Sequence, residues 1–233
     1  MANINDFLTS FKETELARPC NFDVMILPTS VNLTSALLFA AGKVGRDPIS
    51  AFSDIKFRCE AAELPSRIFT AATQKIYGPE TLIPIQTVYN KINLSFICSD
   101  DMFERFLFES WMNYMSNASF FPFPSSAGQI IDMFKSTLDP ADPTNPKKNK
   151  DPFIVNYDFE YRNNYECFIL ITQYDLKGDP SYYVGLFHAF PIGINENPLS
   201  WQSRDDYHKI TVTFAYTYYN SAISLGDSGF PMI

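Results

Sequence analysis

Residues 208–219 read HKITVTFAYTYY, the clearest strand pattern in the chain. Apolar and hydroxyl-bearing side chains alternate along it, which is typical of a half-buried β-strand. One face carries Ile210, Val212, Phe214, Tyr216 and Tyr218, and the other carries Thr211, Thr213 and Thr217. We therefore predict one continuous strand over this stretch.

Comparable runs elsewhere predict a strand-rich protein. They are residues 17–28 (ARPCNFDVMILP), 90–98 (NKINLSFIC), 166–175 (ECFILITQYD) and 182–194 (YYVGLFHAFPIGI). The 233 residues include 22 Phe and 13 Tyr, and aromatic side chains suit a pleated, half-buried surface. The prediction is a mainly β fold of mostly antiparallel strands, with one flanking α-helix and long loops.

Residues 57–69 (FRCEAAELPSRIF) show a second kind of strand. The alternation through Phe57, Cys59 and Ala61 stops at Leu64-Pro65, and proline suits a strand end because it has no ladder donor. The expected partner is the 90–98 run, with Ile92, Leu94, Phe96 and Cys98 on one face.

The segment after Pro65 mixes apolar residues with residues that break regular structure. Gly78, Pro79 and Pro84 interrupt it, and its large apolar members are Ile76, Tyr77, Leu82, Ile83 and Ile85. We predict an arm that leaves the sheet at Pro65 to reach another subunit and is too interrupted to fold alone. An ordinary strand-to-loop end is the alternative.

One convincing helix is predicted, in residues 99–118 (SDDMFERFLFESWMNYMSNA). Asp101 and Glu104 have the spacing of a capping box. Phe103, Leu107 and Trp111 fall on one helical face, which we interpret as a core-packing stripe. Residues 29–54 are predicted to be a long connection, and residues 118–152, rich in Pro and other residues that break regular structure, a loop or insertion.

Charge argues against a protein that grips nucleic acid. The net charge is −8, and residues 100–233 carry the whole excess, with nine Lys/Arg against seventeen Asp/Glu, whereas such a protein shows a basic stripe. Four scattered cysteines and two histidines predict no metal site. We expect no cofactor, and the absence of a long apolar run predicts no membrane anchor.

The motif GDSG at residues 226–229 is similar to the nucleophile loop of trypsin-like proteases. Phe230 follows where that family has another glycine, and His188 and His208 lack the surroundings expected of a general base. A hydrolase using Ser228 is therefore kept only as an alternative, and a polar tail is favoured.

The order of the segments resembles the tail tube protein of contractile-tailed bacteriophages. The matching positions are Ala17-Arg18-Pro19 with Phe22; Cys59, Ala61 and Leu64-Pro65; Phe108 with Trp111; Gly185-Leu186-Phe187 through Phe190-Pro191; and Thr211 through Tyr216. Residues 29–54, residues 118–152 and a tail at 220–233 exceed the compact family core. We expect one domain over residues 1–233 with those additions.

The resemblance implies two packed antiparallel sheets forming a barrel-like sandwich, a fold shared by the type VI secretion needle protein. It also implies six copies in a ring, and stacked rings that form a tube inside a contractile sheath. Expected partners are the protein itself, the sheath and baseplate proteins, and double-stranded DNA that passes through the lumen without specific binding. The implied location is the virion tail, assembled in the host cytoplasm.

Alternatives to a tube subunit stay open. A tube-like baseplate initiator or terminator would share the fold and be present in few copies. A secretion needle is a further possibility of the same fold. A carbohydrate-binding β-sandwich or the Ser228 hydrolase would belong to a different functional class.

Overall fold

The computed structural model describes residues 17–45, 54–75, 77–116, 158–200 and 207–223. Nine strands and three helices lie wholly within these ranges, and residues 54–58 are also helical. The strands are β1 (Phe22–Pro28), β2 (Cys59–Ala62), β3 (Arg67–Gln74), β4 (Thr81–Tyr89), β5 (Ile92–Ile97), β6 (Cys167–Tyr174), β7 (Pro180–Ile194), β8 (Lys209–Ala215) and β9 (Tyr218–Ile223). The helices are α1 (Val31–Lys43), α2 (Phe103–Met115) and α3 (Arg162–Tyr165).

Strand β7 belongs to two sheets. Its first half pairs with β6 and β9, which gives a first sheet of order β1-β6-β7-β9. Its second half pairs with β8, which gives a second sheet of order β7-β8-β5-β2. All pairs are antiparallel. The predicted mainly β, antiparallel fold is confirmed. Through β7 the two sheets form one continuous strand order, β1-β6-β7-β8-β5-β2, and its end strands β1 and β2 do not pair with each other, so the sandwich is open.

The passage of β7 between the sheets occurs at His188. Its backbone has φ +55°, which is unusual for a residue other than glycine. The His188 Nδ1 lies 2.9 Å from Glu166 Oε1, and the Arg162 guanidinium donates to the His188 carbonyl at 3.1 Å. These contacts hold the backbone where the strand changes sheet.

The core fills the space between the inner faces of the two sheets and α2. Its members are fully or almost fully buried. They include Val24, Ile169, Ile171, Val184 and Leu186 from the first sheet; Leu94, Phe96, Val212 and Phe214 from the second; and Phe103, Leu107, Phe108 and Trp111 from α2. The predicted pairing of β2 with β5 is confirmed.

The start of α2 differs from the predicted capping box. Met102 is the N-cap, at φ +52°, and it makes no side-chain cap bond. The buried Glu104 carboxylate instead accepts hydrogen bonds from the Ser99 backbone N–H at 2.7 Å and from the Ser99 hydroxyl. The Arg58 guanidinium lies 3.1 Å from the same carboxylate and balances its charge.

Helix α1 contradicts the prediction that residues 29–54 are only a connection. Ser30 caps it by accepting from the Asn32 N–H at 3.2 Å. Leu33, Leu37 and Ala41, spaced four residues apart, are buried against the core. The 57–69 prediction also needs correction, because residues 54–58 are helical, Phe57 is 80% exposed and the strand begins only at Cys59.

The predicted single strand over 208–219 is two strands. β8 ends at Ala215 in the second sheet, and β9 begins at Tyr218 in the first sheet. β9 continues to Ile223, so the first residues of the predicted 220–233 tail are part of a sheet. Residues 118–152, Ile76 and Ser228 lie outside the described residues, and the assignment of 1–233 to one domain stays a prediction.

Candidate assembly surface

Strands β3 and β4 form a hairpin that stands apart from both sheets. They pair with each other from Arg67↔Tyr89 to Gln74↔Thr81 and make a separate two-stranded sheet. Gly78 takes φ +85° in the turn, a conformation that glycine adopts without steric cost. Every residue of β3 is exposed, and so is every residue of β4 except Tyr89.

The hairpin carries large apolar side chains on both faces. Ile68 lies opposite Val88 on one face, and Phe69 and Leu82 lie on the other. All four are exposed, as is Ile85, which is 70% exposed. An isolated two-stranded hairpin is at best marginally stable in water, and exposed apolar clusters mark interaction sites. The hairpin is therefore a surface suited to contact with another protein chain.

The predicted arm residues lie in this hairpin or at its start. Pro65 is half-buried immediately before β3, and Leu82, Ile83 and Ile85 are exposed on β4. Tyr77 at the turn is 97% exposed. The expectation of an interrupted segment is wrong, since the register is regular except for a shift between Thr70 and Ala71.

Proline is tolerated in this hairpin for a local reason. Pro84 lies opposite Ala71 beside the register shift, and β4 has no second neighbour strand. Proline is found on edge strands and at bulges because the missing N–H then leaves no ladder bond broken. The strand β4 was therefore not predicted, because it contains a proline, a residue that usually ends a strand.

The predicted helix stripe lies inside the fold. Phe103, Leu107 and Trp111 are buried, and Trp111 Nε1–H donates to the Tyr165 carbonyl at 2.9 Å. The Trp111 ring packs at 6.2 Å from Phe214 and 6.5 Å from Phe108 between ring centres. These residues connect α2 to the second sheet and to α3, and they present no surface to a partner.

The outer face of the second sheet is polar, which sequence reasoning predicted only for Thr211 and Thr213. The Ser95 and Thr211 hydroxyls are 2.9 Å apart, and the Thr213 hydroxyl donates to Asn93 Oδ1 at 2.8 Å. The Asn93 amide donates in turn to the Glu63 carboxylate at 3.1 Å. Hydroxyl and amide groups therefore satisfy one another across three segments of this face.

One ion pair completes the polar face. Lys209 Nζ lies 2.7 Å from Glu60 Oε1, and the Tyr207 hydroxyl donates to the same oxygen at 3.3 Å. The hydrogen bond from Lys209 lowers the pKa of Glu60, and the hydrogen bond to Glu60 raises the pKa of Lys209. Lys209 is the only cation in β2, β5, β8 and residues 190–194 of β7, so the strands of this face offer phosphate no unpaired positive charge.

The described residues contain no group of three or more His, Cys, Asp or Glu side chains placed to hold a metal ion. The four cysteines are free thiols, and burial raises the pKa of Cys59 to about 12 and holds that of Cys167 well above its usual value. Ionisation to a reactive thiolate is therefore suppressed at both. In the part of the chain that the structure describes, no helix combines the length and the apolar character needed to cross a membrane.

The solved structures that are similar to this chain include the following three. A chain of the sheath–tube complex of the extracellular contractile injection system PVC is 10% identical over 92% of this chain and 97% of its own, with a TM-score of 0.47. The tube-terminating cap of the anti-feeding prophage is 11% identical over 91% and 93%, with a TM-score of 0.47. A crystal structure of Hcp protein is 10% identical over 87% and 99%, with a TM-score of 0.37.

No curated protein matches the chain significantly. The family model for phage tail tube proteins matches residues 17–222, which include both sheets, α2 and the hairpin. That family consists of structural tube proteins and is not a family of enzymes. Because the match spans most of the sequence, the chain belongs to the phage tail tube protein family.

Proposed function

We propose that this chain is the repeating subunit of a phage tail tube, in which six copies form a ring and stacked rings form the conduit for DNA ejection inside a contractile sheath. The observation that carries the proposal is the β3–β4 hairpin. Its exposed apolar residues occupy both faces of a ribbon that makes no sheet pairing with the rest of the subunit.

Self-association is the use that fits this hairpin. A patch on one copy that docks on a different patch of the next copy is a heterologous contact, and such contacts close into rings or continue as filaments. Full burial of a large apolar side chain contributes roughly 1.5–3 kcal/mol. Half-exposed residues such as Ile68 and Phe69 would each add about 1 kcal/mol on docking. The burial of several such side chains together outweighs the entropic cost of ordering one hairpin.

The channel lining is proposed to be the polar outer face of the second sheet. A conduit for DNA must be wet and must not hold phosphates, because cations that neutralise phosphate produce adhesion. Hydroxyl and amide groups line this face, and Glu60 neutralises its lysine, Lys209. The net charge of −8 per subunit adds repulsion of DNA at short range.

The sheath, the baseplate and further copies of this chain are the proposed partners, and the virion tail, assembled in the host cytoplasm, is the proposed location. A baseplate initiator or a terminator of the same fold is the alternative. A tube subunit differs from either alternative in copy number, because it repeats along the whole tail. Quantitative mass spectrometry of intact particles distinguishes them by the copies per sheath subunit.

Replacing residues 70–86 by Asn-Gly tests the proposal. This change keeps the Phe69↔Thr87 rung and closes it with a two-residue turn of the type that Asn-Gly favours. We expect a folded subunit by circular dichroism that no longer forms rings or tubes by sedimentation. Tubes of normal length from this variant would refute the role of the hairpin.

A point-variant pair provides the matched control. Leu82→Ser with Ile85→Ser removes two exposed apolar side chains from the hairpin, and Phe159→Ser removes one from elsewhere on the surface. Each should change the free energy of unfolding by less than about 0.5 kcal/mol, as surface substitutions usually do. Only the hairpin variant should lose assembly.

A further inference from the structure

The hairpin meets the body of the subunit at a cluster of one arginine and three tyrosines. Arg67 and Tyr89 form the first rung of the hairpin. Tyr219 lies on β9, and Tyr216 lies in the turn between β8 and β9. The cluster therefore connects the hairpin to a part of the chain that is far away in sequence.

In this cluster the Arg67 guanidinium lies against two aromatic rings that also contact each other. The Arg67 guanidinium carbon lies 5.0 Å from the centre of the Tyr219 ring and 5.6 Å from that of Tyr89. The Tyr89 ring is 5.7 Å from Tyr219 and 6.0 Å from Tyr216. The negative face of each ring attracts the cation, and the attraction is stronger where water is excluded.

Few other contacts fix the hairpin relative to the sheets. Asn90 Nδ2–H donates to the Ser66 hydroxyl at 3.0 Å, which links the residue before β3 to the residue after β4. Beyond the first rung, the residues of β3 and β4 are exposed. β9 is held independently, because it pairs with β7 from Tyr182↔Ile223 to Phe187↔Tyr218. The cluster can thus be disturbed without opening either sheet.

We infer that Arg67 is a positioning residue, which fixes the direction in which the hairpin projects by packing its guanidinium against both Tyr89 and Tyr219. This inference rests on the proposed function, because direction matters only if the hairpin must reach a neighbouring subunit.

The length of the hairpin makes its direction critical. β3 has eight residues, and at about 3.3 Å per residue it extends roughly 26 Å from its root. A rotation of about 20° at the root would move the far end by roughly 9 Å, more than the width of a strand. Such a displacement separates the apolar residues from any fixed docking site.

Arginine suits this position better than lysine. Its planar guanidinium stacks on aromatic faces and can lie against two rings at once, whereas the lysine ammonium is a compact and strongly hydrated charge. Arg67→Lys should therefore keep part of the interaction, and Arg67→Gln should lose it.

The test measures the direction of the hairpin in the unassembled chain. A spin label at Thr73→Cys on β3 pairs with a label on Cys20, which is exposed on the body. Cys167 is buried, and desolvation raises the pKa of both Cys59 and Cys98, which suppresses their labelling. We expect a narrow distance distribution with Arg67, one broadened by several ångströms with Arg67→Gln, and an intermediate one with Arg67→Lys. Lys177→Gln, an exposed turn residue that loses the same charge, should match the parent.

Assembly of the same variants, without labels, completes the test. Arg67→Gln should reduce tube yield at least tenfold while the midpoint of thermal unfolding stays near the parent value. If its distance distribution and its tube yield both equal those of the parent, the inference is wrong. If the Asn-Gly replacement still abolishes assembly in that case, the proposed function stands and only the inference about Arg67 is lost. If no variant or parent forms rings, the proposed function fails, and the distance distributions still decide whether Arg67 fixes the hairpin.

Discussion

Trp111→Ala should destabilise the subunit by about 4–5 kcal/mol. Trp111 is 1% exposed and packs against Phe108 and Phe214. Truncating a buried aromatic residue to alanine costs about 3–5 kcal/mol. The upper part of that range applies because the Tyr165 carbonyl also loses its Nε1–H donor, and an unsatisfied buried acceptor costs roughly 1–3 kcal/mol. Since small domains have only about 5–15 kcal/mol of stability, little would remain.

Urea unfolding followed by far-ultraviolet circular dichroism measures this loss. Trp111→Phe keeps an aromatic ring in the pocket but removes the Nε1–H donor and part of the indole. It should therefore cost at least the roughly 1–3 kcal/mol of an unsatisfied acceptor and less than Trp111→Ala. Phe159→Ala, an exposed aromatic residue, serves as the surface control and should cost under about 0.5 kcal/mol. A Trp111→Ala protein with the parent unfolding midpoint that merely fails to assemble would refute the core role of Trp111.

Three further predictions concern the polar face, the first sheet and the sequence motif. Glu60→Gln should leave Lys209 unpaired and make assembled tubes retain DNA at low salt. In the parent, the pair forms above the ordinary Glu60 pKa of 4.5 and is lost as pH falls through the lowered value, so DNA retention should rise only in acid. Gly185→Ala should cost about 1–3 kcal/mol, because its Cβ would lie 2.9 Å from the Phe168 ring. Ser228→Ala should change neither assembly nor any peptidase activity.

Each of these predictions has a control or a contradicting result. Glu63→Gln removes a carboxylate whose described partner is Asn93, not a cation. It should therefore not increase DNA retention. Equal retention by the Glu60 and Glu63 variants would rule out the ion-pair explanation. Parent-like stability of Gly185→Ala in urea would show that Phe168 can move freely. Loss of a peptidase activity in Ser228→Ala would contradict a structural role.

The sequence predicted those strands whose two faces differ in chemistry. In β5, the buried Ile92, Leu94 and Phe96 alternate with half-buried Asn93 and Ser95, so the inward face could be recognised without knowing its partner. α2 was recognised for the same reason, because its apolar residues follow the helical period. Local patterning was sufficient wherever one side of an element is core and the other is not.

Helix α1 was missed because its apolar residues surround it. Val31 and Phe39 are exposed while Leu33 and Leu37 are buried, so no single stripe indicates a helix. The split between β8 and β9 was hidden differently. The alternation continues through Tyr216 and Tyr218 although the chain changes sheet there. Which strand a residue pairs with depends on distant parts of the chain, so alternation alone cannot predict the change.

The assembly surface was only half predicted, for a related reason. The apolar content of the segment after Pro65 indicated a contact, but both faces of the hairpin mix apolar and polar residues, so neither strand shows a one-sided alternation. The Arg67 cluster could not be predicted at all. Its members come from β3, β4, β9 and the turn before β9, and only the folded chain brings them together.

Cryo-electron microscopy of the purified full-length chain after concentration tests the tube assignment. We predict hollow tubes of stacked rings with six subunits each. In them, the β3–β4 hairpin should be covered by a neighbouring subunit, and Asn93, Ser95, Thr211 and Thr213 should face the channel. Uniform monomers at every concentration, or tubes whose hairpins remain exposed to solvent, would contradict this account.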